Sequence, residues 1–139
     1  MPSNLRIIRI RDFIKLAPQG SQDLTNLKQA ITEAAAVRGA FVDYNLLIDA
    51  RGLETNLSVF DIWELAADLA KVIHAGASRG FRAKIPVLCP VERFDKGKFF
   101  ELCAENRGLN VRAFTSFEDV LEWLSESSTP SLEKSSRDN

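Results

Sequence analysis

The sequence predicts an α/β domain: a mixed, mainly parallel five-stranded sheet whose first strand runs antiparallel, together with four helices. Three observations carry that reading. Short apolar runs of strand length alternate along the chain with longer segments whose apolar residues recur every three or four positions. Capping residues stand before those longer segments, and glycine or proline punctuates their ends. The pattern stops after Leu124, where serine-rich, charged sequence begins. The element order is β-β-α-β-α-β-α-β-α, and such alternation requires right-handed crossovers within one sheet.

Residues 6–10 and 13–16 read as two antiparallel strands turning near Arg11 and Asp12, with Ile8, Ile10, Ile14 and Leu16 on one parity and Arg9, Arg11 and Lys15 on the other. Ser21 can cap the first helix, and Asp23 favours its first turn by complementing the N-terminal partial charge. Leu24, Leu27, Ile31 and Ala34 form that helix's apolar face, and Arg38-Gly39 ends it. Residues 44–50 hold the continuous apolar run Leu46-Leu47-Ile48, which suits a central strand. The second helix starts at Ser58, with Asp61 three residues on as a capping box. Val59, Ile62, Leu65, Ala66, Leu69 and Val72 form its buried stripe, and Lys71 and His74 sit near its end.

Residues 84–89 form the next strand, weakened by Pro86, which has no N–H to give. The third helix covers 95–106 with Phe99, Leu102 and Cys103 inward. Gly97 within it costs about 1 kcal/mol relative to Ala. Arg107-Gly108 ends this helix, and residues 110–114 give the last strand. Ser116 and Asp119 open a final helix carrying Phe117, Val120, Leu121 and Leu124. One domain over 1–124 is therefore expected, followed by a disordered tail over 125–139.

Bulk composition excludes several classes. A chain of 139 residues with 45% hydrophobic and 27% charged content is ordinary globular material. Lys and Arg number 18 against 19 Asp and Glu, so no long-range field exists to hold nucleic acid or an anionic membrane. Residues 79–112 carry a modest basic excess (Arg79, Arg82, Lys84, Arg93, Lys96, Lys98, Arg107 and Arg112 against Glu92, Asp95, Glu101 and Glu105) with no nucleic-acid motif. No apolar run reaches the roughly 20 residues of a membrane span. Met1-Pro2-Ser3-Asn4 leads into a strand without an apolar leader, so a cytoplasmic location is expected. Cys89 and Cys103 have no metal-ligand spacing and sit in apolar contexts, which reads as two buried, free thiols.

No catalytic residue, metal or cofactor is expected. His74 is the only histidine, and its place near a helix C-terminus accounts for it. Asp61, Glu64 and Asp68 share one side of the second helix, where they read as its wet face. The glycines form no nucleotide-binding pattern.

Gly20-Ser21-Gln22-Asp23, the run Leu46-Leu47-Ile48-Asp49 followed by Gly52-Leu53, and Ser58 at the start of the second helix give residues 5–124 a family likeness. The chain resembles the STAS domains, the SpoIIAA-like anti-sigma-factor antagonists. Arg93-Phe94-Asp95, Phe99-Phe100, Asn106-Arg107-Gly108 and Trp123-Leu124 are similar to the second halves of bacterial STAS-like proteins of undefined role. The resemblance implies a β/α superhelix with helices largely on one side of the sheet, and Ser58 as a candidate phosphorylation site. Asn56-Leu57-Ser58-Val59-Phe60 departs from the antagonists' Asp-Ser-Ser-Gly, lacking both the acid and the glycine.

Loops after parallel strands gather at the strands' carboxyl ends, where open α/β sheets bind ligands. The candidate binding residues there are Arg51, Thr55, Asn56, Ser58, Arg93, Phe94 and Lys96, with Arg93 and Lys96 suited to an anion. The first functional expectation is a non-enzymatic regulatory or scaffolding module that binds a protein partner through the start of the second helix. Self-association into a homodimer through a sheet edge or helix face belongs to the same reading. The alternative is a small-molecule or lipid-binding module, holding a small anionic ligand between strand ends and helices.

Overall fold

The computed structural model describes residues 5–8, 13–40, 45–54, 56–76 and 84–126. Strands β1 (Leu5–Ile8) and β2 (Phe13–Leu16) are followed by a two-residue strand β3 (Gly20–Ser21) and helix α1 (Leu24–Ala40). Then come β4 (Asn45–Asp49), a second short strand β5 (Leu53–Glu54) and helix α2 (Val59–Gly76). Strand β6 (Lys84–Leu88), a 3-10 turn over Val91–Arg93, helix α3 (Phe94–Glu105), strand β7 (Asn110–Phe114) and helix α4 (Phe117–Ser125) complete the described elements. The main sheet has the order β1-β2-β4-β6-β7, with β1 antiparallel to β2 and every other pair parallel. The expected α/β class, four helices and antiparallel edge strand are all present.

The helices divide unequally between the two faces of the sheet. One parity of each parallel strand (Leu16; Leu46 and Ile48; Ile85 and Val87; Val111 and Ala113) packs into one core with α1, α2 and α3. The opposite parity supplies Leu47 and Leu88 to a smaller core with Val120 of α4. Period-two alternation thus sorts a continuous apolar strand such as Leu46-Leu47-Ile48 into two cores. Trp123 anchors α4: Phe114 tilts against its ring at 5.6 Å, and Lys84 and Arg112 lie over it at 5.4 and 4.9 Å. Lys84 Nζ also donates to the carbonyls of Trp123 (2.6 Å) and Glu126 (3.2 Å), where a cation complements the helix end.

The structure corrects several expectations. The β1–β2 register sets Ile7 opposite Ile14 and Leu5 opposite Leu16, so parity changes across the pair and Ile8 faces Phe13 instead. Ile10, Arg11, Asp12 and Tyr44 lie outside the described residues. Asp23, not Ser21, caps α1: its Oδ1 accepts from Asn26 N at 2.9 Å, while Ser21 is drawn into β3. Helix α1 runs through Arg38-Gly39 to Ala40. Pairing of β3 with β5 was not expected; it ties the loops after β2 and β4 together, with Gly20 N donating to Gly52 O at 2.9 Å. Gly20 takes φ 73°, a conformation that favours glycine.

Pro86 sits fully buried in an interior strand, and the register of β4 with β6 covers only Ile48↔Val87 and Asp49↔Leu88. Below it, the Asn45 side chain accepts from Lys84 N at 3.0 Å in place of a backbone carbonyl. Gly97 is buried in α3 because a Cβ there would land on Cys89 Sγ and meet Ala113 Cβ at 3.4 Å. Its missing side chain is what lets α3 press onto the sheet. Val59 and Leu102, expected inward, are exposed, whereas Ile73 and Trp123 are buried. The expected Arg107-Gly108 stop of α3 is present, with Gly108 at φ 86° and Leu109 N donating to Ala104 O. Ser125 closes α4, and the remainder of the expected tail, 127–139, lies outside the described residues.

Candidate functional site

An apolar cleft of about 130 Å³ opens where the carboxyl ends of the parallel strands meet the helices. Its floor is the helix-side parity of the sheet: Leu16, Ile48, Val87 and Cys89. Helix α1 supplies Leu27, Ala30 and Ile31, and α2 supplies Ile62 and Leu65. Leu53 and Leu57, brought in by the β3–β5 pair and the segment after it, close the top together with Pro18 and Pro90. Phe100 and Gly97 of α3 complete the wall. The cleft exists because three helices cover this face while the strand-end loops, pinned by β3–β5, bridge over its end.

Two cations reach this wall. Arg93, at the end of the 3-10 turn, donates through Nη2 to Leu53 O at 2.6 Å. Lys96, in the first turn of α3, donates through Nζ to Leu57 O at 2.8 Å. Among the described residues no carboxylate lines the cleft. Both cations therefore meet neutral carbonyl oxygens, in contrast to Lys15, Lys28, Arg51 and Lys98, each of which has a carboxylate partner.

The remaining sequence-derived candidates scatter around this centre. Arg51 turns away, gripping Asp49 with Nε on Oδ1 (3.0 Å) and Nη2 on Oδ2 (2.9 Å). Asp49 is buried at 6% exposure and also faces Lys15 Nζ at 3.6 Å. Burial raises its carboxyl, but hydrogen bonds from the Arg51 side chain and backbone, with the charges of Arg51 and Lys15, hold it below the usual value. Phe94 is half-buried against the main core, with Lys98 over its ring at 5.9 Å. Asn56 and Ser58 are exposed on the rim, and Thr55 lies outside the described residues.

Ser58 and Asp61 form a complete capping box: Ser58 Oγ accepts from Asp61 N, and Asp61 Oδ2 accepts from Ser58 N, both at 3.1 Å. Glu64 is engaged by Lys28 of α1 at 2.6 Å, which raises the lysine's pKa through that hydrogen bond. His74 Nε2 contacts Arg107 O at 2.9 Å, joining the ends of α2 and α3, so the ring nitrogen donates there. Cys89 forms part of the cleft floor; burial pushes its thiol up to about 11, against the nearby Arg93 charge, which lowers it. Burial likewise raises Cys103. Such thiols stay protonated and make poor nucleophiles at neutral pH.

Sequence reasoning missed the apolar lining itself. Leu53 and Leu57 were its available signal, being large apolar residues in the short stretch between β4 and α2. It also missed an apolar ridge at the start of α2: Val59, Phe60 (66% exposed) and Trp63 (42%), the two rings stacked at 5.9 Å. Arg107 lies over Trp63 at 4.8 Å. Among the described residues no helix is long and apolar enough to cross a membrane, and no cluster of metal-ligating side chains occurs. Compared with protein-family models, curated proteins and solved structures, the chain matches none of them.

Proposed function

We propose that the chain is a non-enzymatic binding module whose ligand is a small, largely apolar molecule held in the cleft at the strand ends. The single observation that carries this reading is the cleft's lining, aliphatic and aromatic almost throughout, at the place where open α/β sheets receive ligands. An enclosed apolar cavity of about 150 Å³ accommodates benzene, so a cleft of this size and lining suits a small hydrophobic molecule. The thiol of Cys89 and the carbonyl-bound cations supply no activated nucleophile or base, which favours binding over chemistry. A thermal-shift series with benzene and 1-hexanol tests the proposal. Both raise the melting temperature of the wild type in a concentration-dependent way. Ala30→Leu, which fills the cleft from α1, melts without responding to either compound. A wild type indifferent to every apolar probe would remove the reading.

A second reading has its own observation. Val59, Phe60 and Trp63 place large apolar side chains in solvent beside the Ser58 cap, an arrangement suited to contact with a protein partner or a second copy of the chain. On this reading the domain is a regulatory module similar to the SpoIIAA-like antagonists. The element order, the antiparallel edge strand and the three helices on one sheet face support a STAS-like β/α superhelix. A phosphate on Ser58 would add about two negative charges beside the Asp61 carboxylate and disrupt the capping box. Affinity purification from the native cell, comparing wild type with Phe60→Ser and Ser58→Asp, discriminates. Equal recovery of the same proteins by all three would eliminate this surface.

A further inference from the structure

The cleft combines an apolar interior with two cations that have no carboxylate partner among the described residues. Arg93 and Lys96 approach it from neighbouring positions on the α3 side and bond across its opening to Leu53 O and Leu57 O. Among the described residues no acidic side chain lines the cleft and neither cation forms a salt bridge. Bonds from a cation to a neutral carbonyl are weaker than bonds to an anionic oxygen, so an incoming anion displaces the carbonyls, which water at the opening can then serve. A headless hydrocarbon would leave these cations as they are.

Resting on the binding reading above, we propose that the occupant is an anionic amphiphile: a chain or ring of about six carbons carrying a carboxylate or phosphate head. The carbon body lies over Ile48 and Val87, and the head sits between the Arg93 guanidinium and the Lys96 ammonium. In the unliganded protein these two side chains latch the opening to the segment after β4; binding exchanges the latch for the head group.

Calorimetric titration of the full chain with four probes of equal chain length tests this: hexanoate, hexyl phosphate, 1-hexanol and hexylamine. The better of the two anions binds at least about tenfold more tightly than 1-hexanol, since bonds from the two cations to an anionic head are stronger than the bonds to neutral carbonyls that they replace; hexylamine binds most weakly. Which anion leads identifies the head. In Arg93→Gln/Lys96→Gln the anions lose their advantage and bind no more tightly than 1-hexanol does to the same variant, and retained binding of 1-hexanol there shows that the apolar site is intact. Lys96→Gln alone gives an intermediate loss. Equal binding of 1-hexanol and both anions, or an anion preference that survives in the double variant, would overturn the proposal while leaving the apolar site standing. Failure of all four probes would remove the binding reading and this inference with it.

Discussion

Asp49 shows how one residue at the end of a central strand can organise its surroundings. Its carboxylate is desolvated, yet it stays ionised because Arg51 grips both oxygens and Lys15 lies across from it. A folded-state pKa below the ordinary Asp value of about 4 means the group stabilises the fold at all higher pH. That contribution disappears as pH falls through the lowered folded value. Asp49→Asn should therefore lose roughly 1–3 kcal/mol at pH 7 by chemical denaturation. The gap to wild type should narrow as the pH is taken below the ordinary Asp value. A gap independent of pH would mean that shape, not charge, matters at this position.

Gly97 is a second residue whose role is positional. Helix propensity alone favours Gly97→Ala by about 1 kcal/mol, but the new methyl would collide with Cys89 Sγ. The expected net result is destabilisation of about 1–3 kcal/mol from overpacking. Combining it with Cys89→Ala should recover much of that loss, giving a double-mutant coupling that two independent sites would not show.

At the scale of elements, helix starts were the most legible part of the sequence. Ser58 and Asp61 announce α2 through a reciprocal pair, and Ser116 caps α4 by accepting from Glu118 N and Asp119 N. Such caps involve residues three apart, so spacing alone reveals them. Ser58→Ala should cost about 1 kcal/mol, measured as a fall in melting temperature; no change would mean that the exposed first turn of α2 frays in any case. The cap of α1 was less legible, because Ser21 and Asp23 both qualify locally and only the long-range β3–β5 pair commits Ser21 elsewhere. Helix faces were largely legible: Leu27, Ile31 and Ala34 of α1 and Ile62, Leu65, Ala66 and Leu69 of α2 are buried as expected. Val59 and Leu102 fit the helical period yet point outward, since the neighbouring helix, not the period, decides which stripe is covered.

For the whole molecule, the α/β class and the antiparallel edge strand followed from alternation, whereas the order of the strands within the sheet and the division of helices between its two faces did not. Leu47 and Leu88 look no different in sequence from Leu46 and Val87, but they serve separate cores. The site was legible only at its charged end. Arg93 and Lys96 could be placed at strand ends from element order alone. The apolar body of the cleft is built from residues as distant as Leu16 and Phe100, and only folding brings them together.

The cleft has a mechanical consequence. Space that the folded chain fails to fill is eliminated on unfolding, so the unfolded protein occupies less volume and compression favours it. Hydrostatic pressure should therefore denature this domain readily, and Ala30→Leu or a saturating ligand should move the midpoint upwards. An Ala30→Leu midpoint equal to that of wild type would show that the cleft is already filled with water.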